Sequence, residues 1–436
     1  MSNSPLSLWR RLWDSSFAKD SALLVLSQAA VGFLFLLTHV ILGREMDGGT
    51  YAIVVALLGL LNILSLPTNT VQVVVTRYIA GIESPHHQLG AQVVRTISRR
   101  VLGWGSAGLL AWAAFAWWQS SAGAPQLVPG AGRGALSLVG FLAFLGLFSP
   151  IFHGALTGEQ KFGWLVGSSL SGALLRALFA LLVVALWATV EGALTAIAAS
   201  SLVALGVAWW PFRKAALETG GKPPWSAKEI LHYAGPVLIG QGALYVLLNA
   251  DLILAPRYFA GTDLAAYSKG AMLSRAILFL PLPIATAMFP RAVTSARARI
   301  LLAPLAFAAV SSLAAATMVS LFPQLPLKLM YGVSGTAYQE VARTYVWAAA
   351  PLTLTVLASH YLWARHRPGA VLWLVPVVAG YVGYLTLLQP SPTELAVTLG
   401  GVATLSFAVL GWQLLRAGKG SEGSPTPELP VVSTRE

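Results

Sequence analysis

Run after run of about 20 apolar residues, each long enough to cross a bilayer as a helix, is the feature that constrains this chain most. A fold with that many such segments is solvated by lipid. The charge content agrees, because only 10% of the 436 residues are charged, against roughly 25% in soluble domains. Reading spans where apolar residues persist, and breaks where charge, Pro and Gly cluster, gives twelve segments. They lie near 21–42, 50–75, 98–119, 135–157, 163–188, 192–212, 232–256, 264–290, 300–322, 341–363, 369–388 and 393–415. They are too long, and too uniformly apolar, for barrel strands. The expected fold class is an all-α polytopic membrane protein.

Twelve spans put both termini on one side. Of the 28 Lys and Arg residues, 20 then fall on the terminal side, five on the other (Arg44, Arg133, Arg257, Lys328 and Arg343) and three inside spans. By the positive-inside rule the termini are cytoplasmic, in the cell membrane. The basic excess is thereby read as topological, with no nucleic acid implied. Trp117, Trp118, Trp209 and Trp210 fall at span ends, where amphipathic rings favour the interface. The first span is too long for a signal-peptide core, and Arg10-Arg11 reads as a cytoplasmic flank. The expected organisation is a cytoplasmic N-terminal segment (1–20), a six-helix bundle (21–212), a cytoplasmic linker (213–231), a second six-helix bundle (232–415) and a tail (416–436). The tail is rich in Ser, Pro, Glu and Gly and is expected to be disordered. The breaks near 120–134 and 323–340 read as short loops on the opposite side.

An internal repeat supports the two bundles. Gln28 and Arg44 in the first span pair align at a constant shift with Gln241 and Arg257 in the seventh. After a small gap, Tyr51 aligns with Tyr267 and Pro67 with Pro283; His153 and His360 make a further echo. Six spans per half is an even number, so the halves insert the same way, as a parallel repeat about an axis along the membrane normal. Two such bundles enclose a central cleft, which is transporter architecture. Pro67, Pro236, Pro281, Pro283 and Pro290 in or near spans read either as gating bends or as ordinary packing features.

Ionised residues inside a bilayer cost about 2.5–3.5 kcal/mol each on insertion scales, so they persist where paired or facing water. Asp251 and Lys269 lie at equal distances from the turn near Ala260. They can form an ion pair that holds the hairpin; alternatively Asp251 is the site coupling transport to Na⁺ or a proton. Arg176 and Arg275 have no evident acid partner. Ser169 and Gly172 share a helical face with Arg176, and Ser268 shares one with Arg275. Deep guanidinium groups of this kind suit an anionic ligand, phosphate above all; the alternative is that they bond backbone carbonyls. Gln28 and His39 share a face of the first span with Gly32 and Phe35. Gln241, Tyr245 and Asn249 follow i, i+4, i+8 on the seventh, so both stripes are expected to line the cleft or to bond neighbouring helices. No Walker A, HExxH, G-x-S-x-G or GxGxxG pattern occurs, and cysteine is absent. No catalytic residue, metal or cofactor is expected, and the chain is not read as an enzyme.

Three stretches resemble the polysaccharide (O-antigen type) flippase family, within the superfamily that includes multidrug antiporters and the lipid II flippase. They are THVILGREMDGGTYAIVVALLGLLNILSLP, HGALTGEQKFGWLVGSSLSGALLRALFALLVV and NADLILAPRYFAGTDLAAYSKGAMLSRAILFLPLPIATAMFPR. The resemblance implies a lipid-linked oligosaccharide on polyprenyl pyrophosphate, moved between leaflets by alternating access. Arg176, Lys269 and Arg275 would hold its head group, with polysaccharide assembly enzymes, membrane lipid and Na⁺ or H⁺ coupling as partners and a monomer as default. Twelve spans, where many relatives have fourteen, weaken the lipid II variant. A drug or cation antiporter would want acids in the cleft, and one acid against three bases argues the other way. A glycan polymerase or ligase would carry a sizeable outer loop.

Overall fold

The computed structural model describes residues 16–66, 68, 71–72, 75–76, 79, 88–121, 123–213, 227–279, 302–364 and 367–419. Pro67, Pro281, Pro283, Pro290, most of the expected N-terminal segment and linker, and the tail beyond Lys419 lie outside these residues. The first half contains α1 (Ser16–Glu45), α2 (Gly48–Leu64), α3 (Gln88–Gln119), α4 (Arg133–Gly146), α5 (Ser149–Gly158), α6 (Phe162–Leu186) and α7 (Val190–Trp209). The second contains α8 (Ala227–Tyr258), α9 (Gly261–Ala276), α10 (Leu302–Leu321), α11 (Gln324–Tyr331), α12 (Thr336–Ala364), α13 (Pro368–Val371), α14 (Leu374–Leu387) and α15 (Pro392–Lys419). Among the described residues there is no strand. Ten helical stretches are long and apolar enough to cross a membrane. The shorter α2 and the more polar α9 occupy the second and eighth expected spans, so all twelve positions are helical.

Local chemistry sets the boundaries. Asp47 caps α2, its carboxylate accepting from Gly49 N at 3.0 Å and Thr50 N at 3.2 Å. Thr189 caps α7 through Gly192 N. Ser391 and Glu394 form a reciprocal capping box at α15, each side chain accepting the other's backbone N–H, which satisfies two of the orphan donors of the helix start. The fourth span is broken at residues 147–148, where α5 restarts with Pro150 in its first turn, a place where the missing N–H costs nothing. By contrast α8 continues through Pro236 and Pro256, and α12 through Pro351. Thr355 donates to the carbonyls of Pro351 and Ala403 and so fastens α12 to α15.

Three expected boundaries shift. Helix α8 starts at Ala227, inside the expected linker, and α15 runs to Lys419, into the expected tail. The break at 323–340 is not a plain loop: it folds α11, which ends on Gly332 at φ 67°, the left-handed C-terminal position that glycine adopts without strain.

Tyrosines lie in the interior while many large aliphatic side chains face outward. Tyr51, Tyr267, Tyr331, Tyr345 and Tyr381 are among the largest fully buried side chains, while Leu26, Leu110, Leu186, Leu329 and Leu415 stand exposed. Lipid tails supply no drive to hide leucine, so close approach of small and polar residues holds the helices instead. Arginine rests on an exposed tryptophan at both ends of the bundles: Arg133 over Trp117 at 3.9 Å, Arg213 over Trp210 at 3.8 Å and Arg416 over Trp412 at 3.6 Å.

Within the first half, α6 packs between α1 and α7, and α4 between α3 and α7. Within the second, α12 is the hub for α9, α10 and α15, and α8 packs on α14. The halves meet along α2, which lies against α8 and α9, and where α11 covers α1. This seam is tight at the end carrying the 45–48 and 258–261 turns. A Cβ placed on Gly48 would lie 2.4 Å from the Ala265 Cβ, and one on Gly43 2.7 Å from the Tyr331 ring.

Gly48→Leu is therefore expected to wedge the halves apart at that end, at an overpacking cost of about 1–3 kcal/mol. The natural absence of cysteine makes the measurement direct. Ala52→Cys, on the same face of α2 and buried, should react slowly with a membrane-impermeant maleimide, and markedly faster once Gly48→Leu is added.

Candidate functional site

Asp251 on α8 is fully buried, and both of its carboxylate oxygens are occupied. Arg275 Nη2 on α9 donates to Oδ1 at 2.7 Å. The hydroxyls of Tyr267 on α9 and Tyr345 on α12 donate to Oδ2 at 2.9 and 2.7 Å. Arg275 Nε also donates to the Tyr345 hydroxyl at 3.2 Å. The expected Asp251–Lys269 pair is thus corrected: the partner of Asp251 is Arg275. Depth along the hairpin was right for Lys269, but azimuth was not. Tyr267, Ala271 and Arg275 follow i, i+4, i+8 on one face of α9, whereas Lys269 stands about 200° round from Tyr267. Side chains lean toward the N-terminus of their helix. On antiparallel α8 and α9 that brings Asp251 and Arg275 toward each other despite their different depths. Arg275, expected to lack an acid partner, has one.

Lys269 is buried, at 5% exposure, and makes no ion pair among the described residues. Its ammonium lies 5.9 Å from the Tyr331 ring centre and 5.8 Å from that of Tyr338, within the field of Asp47. It belongs to the tight end of the seam.

Arg176 on α6 stands apart from the Asp251 node. Its guanidinium is 5.8 Å from the Phe35 ring of α1, and its Nε is buried without a hydrogen-bond partner. One turn beyond Phe35, His39 is buried, stacks edge-on against Phe35 at 4.8 Å and meets the Tyr51 hydroxyl at 3.3 Å. His39 lies in the electrostatic field of both Arg176 and Arg275. Of the two arginines, Arg176 is the one with a described contact to α1, while Arg275 is held within its own half by Asp251 and Tyr345.

The two polar stripes divide. Asn249 is buried and joins the halves: its amide donates to Tyr245 O, and its oxygen accepts from Asn62 of α2 at 3.4 Å. Gln241 is buried with Oε1 unpartnered, and Tyr245 is half-buried. Gln28, on α1, is exposed. Asp251 follows Asn249 by two residues and so faces away from α2, into its own half.

Sequence reasoning named Tyr245 and aligned Tyr51 with Tyr267, but passed over Tyr345 and Tyr331. Tyr345 completes the Asp251 node, and Tyr331 of α11 packs on Tyr51 with ring centres 6.1 Å apart. The repeat held the signal for the aligned pair. Tyr51 and Tyr267, aligned in sequence, each turn a buried hydroxyl toward a polar group on the preceding span, His39 in one half and Asp251 in the other.

The model of the family described as polysaccharide biosynthesis protein matches residues 17–295. No curated protein matches the chain. Among solved structures, the chain is similar to the inward-facing conformation of a multidrug resistance MATE family transporter of the MOP superfamily. Identity is 16% over 91% of this chain and 99% of that one, with a TM-score of 0.69. It is similar also to a MOP superfamily transporter from Pyrococcus furiosus, at 16% identity over 93% of this chain and 97% of that one, with a TM-score of 0.67. The outward-facing conformation of a MATE family transporter matches at 16% identity, 92% and 96% coverage, and a TM-score of 0.61. These likenesses establish the fold as two helical bundles of about twelve spans.

Removing one member of the buried pair leaves the other charge uncompensated, at a cost of about 3 kcal/mol. Asp251→Ala is expected to lower the melting temperature in detergent strongly. Asp251→Ala combined with Arg275→Met should recover most of the loss, because the double variant buries no lone charge. Lys269→Met should give no such recovery.

Proposed function

From the premise that the chain belongs to the polysaccharide biosynthesis protein family, we propose that it flips a lipid-linked oligosaccharide of the polyprenyl pyrophosphate type across the cell membrane by alternating access. The observation that carries this reading is Arg176. It is a guanidinium inside a membrane-spanning helix, beside Phe35 of α1, with a buried Nε that has no hydrogen-bond partner among the described residues. An unmet donor of a charged group is costly in a low-dielectric interior, and a bidentate phosphate is the chemical complement of guanidinium.

Arg275 contributes differently. Its charge is largely cancelled by Asp251, so it offers directed N–H groups more than net charge. Lys269 adds a third cation nearer the tight end of the seam. Gln241, with an unpartnered amide oxygen, accepts hydroxyl donors, as a sugar would supply. The oligosaccharide head passes between the halves while the polyprenyl tail stays in lipid. Transport runs from the cytoplasmic to the outer leaflet, with both termini cytoplasmic. The support for that orientation is the concentration of Lys and Arg in the breaks on the terminal side. Polysaccharide assembly enzymes are the partners that would supply and consume the lipid-linked substrate.

The second reading is a drug or cation antiporter, and the similarity to multidrug transporters favours it. A cationic cargo and a coupling Na⁺ or proton would both need Asp251, whose oxygens are engaged by three donors. That engagement favours the anionic lipid. A lipid-linked anion instead needs the free Arg176.

The test is flipping of a fluorescent polyprenyl-pyrophosphate oligosaccharide in proteoliposomes. Wild type is expected to transport, Arg176→Ala to lose about tenfold or more, corresponding to one charge-assisted hydrogen bond of about 1.5–3 kcal/mol, and Arg176→Lys to retain part. Unchanged transport by folded Arg176→Ala would remove Arg176 from the site. Absence of flipping in every form, with ion-gradient-driven uptake of a cationic dye, would replace the proposal with the antiporter.

A further inference from the structure

The second half carries a cavity of about 570 Å³ on its flank, between α10, α12 and α15. None of its lining residues belongs to the Asp251 node or contacts Arg176. It sits in the third of the bundle nearest the 321–336 and 387–392 turns. Ser320 is the penultimate residue of α10. Arg343 lies seven residues into α12, which is about 10 Å along its axis. Ala396 and Gly400 lie in the first turns of α15.

Three features distinguish it from a bare lipid-facing surface. Arg343 is exposed and makes no ion pair among the described residues, although Glu340 lies one turn away. Ser320 Oγ is buried against the cavity with no hydrogen-bond partner. Trp347 stands one turn deeper than Arg343 at 48% exposure and forms one wall. The α15 side is lined by Ala396, Val397, Gly400 and Thr404, none of them charged. A Cβ placed on Gly400 would make ordinary contact with Ala348 of α12, at 3.7 Å.

We infer that this cavity is a site for one phospholipid of the surrounding leaflet. The phosphate binds Arg343 and the Ser320 hydroxyl, and an acyl chain lies along Trp347, Ala396 and Gly400. The charge complementarity sets the occupant. A cation held at interfacial depth with an unpaired hydroxyl beside it selects an anionic head group, and the apolar floor selects a chain attached to it. Arginine at this depth on a smooth helix would snorkel to any head group; here it stands at the mouth of a cavity that has volume for a chain.

The experiment is native mass spectrometry of the delipidated full chain titrated with phosphatidylglycerol, with phosphatidylcholine as comparison. Wild type is expected to retain one tight phosphatidylglycerol. Arg343→Ala should weaken it about tenfold, the loss of one charge-assisted contact. Gly400→Leu, which adds bulk to the cavity wall, should abolish it, and Gly400→Ala, whose Cβ reaches only ordinary contact with Ala348, should leave it in place. Arg133→Ala removes an equal charge, stacked on Trp117 at the corresponding end of the first half, and should change nothing. A tight lipid that survives both Arg343→Ala and Gly400→Leu, one lost equally in Arg133→Ala, or none in wild type would each overturn the site. Melting temperatures of the variants confirm that each is folded. The flipping assay is independent of this readout, since no residue of the cavity belongs to the proposed substrate site.

Discussion

A carboxylate with no water around it must be solvated by the protein itself, and Asp251 is solvated by three donors from two other helices. That single requirement organises the second half. It fixes the rotation of α9, because Tyr267 and Arg275 must share one face. It fixes α12 through Tyr345, and it sets the register of both against α8. Tyr258 at the end of α8 donates to Leu385 O and extends the same fastening to α14. In the first half the described polar contacts between helices are lighter: His153 to Ser168, which also bonds Ala204 O, and Trp112 to Leu136 O.

The seam between the halves is of another kind. Its contacts are close approaches at glycine, ring packing of Tyr331 on Tyr51, and one long hydrogen bond between Asn62 and Asn249. Such contacts are worth little individually and leave no charge stranded when they part. Strong polar fastening inside the second half, with weak, mostly apolar described contact between halves, is what the proposed alternating access would require of halves that move as bodies. An α11 that rides on α1 from the opposite half closes one end without bonding it shut.

How much of this was legible in the sequence depended on which coordinate was asked for. Position along the membrane normal was legible, because a run of apolar residues reports depth directly. Ten candidate spans among the described residues fall where hydropathy places them, with shifts at helix ends such as Ala227 and Lys419 and a break inside the fourth. Rotation about a helix axis was not. Asp251 and Lys269 share a depth, yet the partner is Arg275, which only the lean of side chains toward helix N-termini brings within reach. Helix α11 was missed because eight residues carry no span-length signal; its Gly332 was the one turn marker available. Tyr331 and Tyr345 were missed because in an apolar sequence they read as further hydrophobes, whereas with lipid outside their hydroxyls direct them inward. Of the candidate residues, the structure buries His39 and Asn249 and sets Arg176 beside Phe35, while it leaves Gln28 exposed.

The charge ledger of the interior then isolates one group. Arg275 and Asp251 cancel locally, so the second half presents little net charge toward α1. Lys269 sits against two tyrosine rings and in the field of Asp47, near the closed end. Arg176 has an aromatic face beside it and no counter-ion among the described residues, at a depth where water cannot repay the loss of hydration. A protein in lipid can discard such a charge by a single substitution to leucine and gain stability by doing so. Under the proposed function, keeping it on the helix packed against α1 is energetically sensible, because an anion completes the site during part of the working cycle. The same reasoning separates it from Arg275, whose retention the Asp251 node already explains without any ligand.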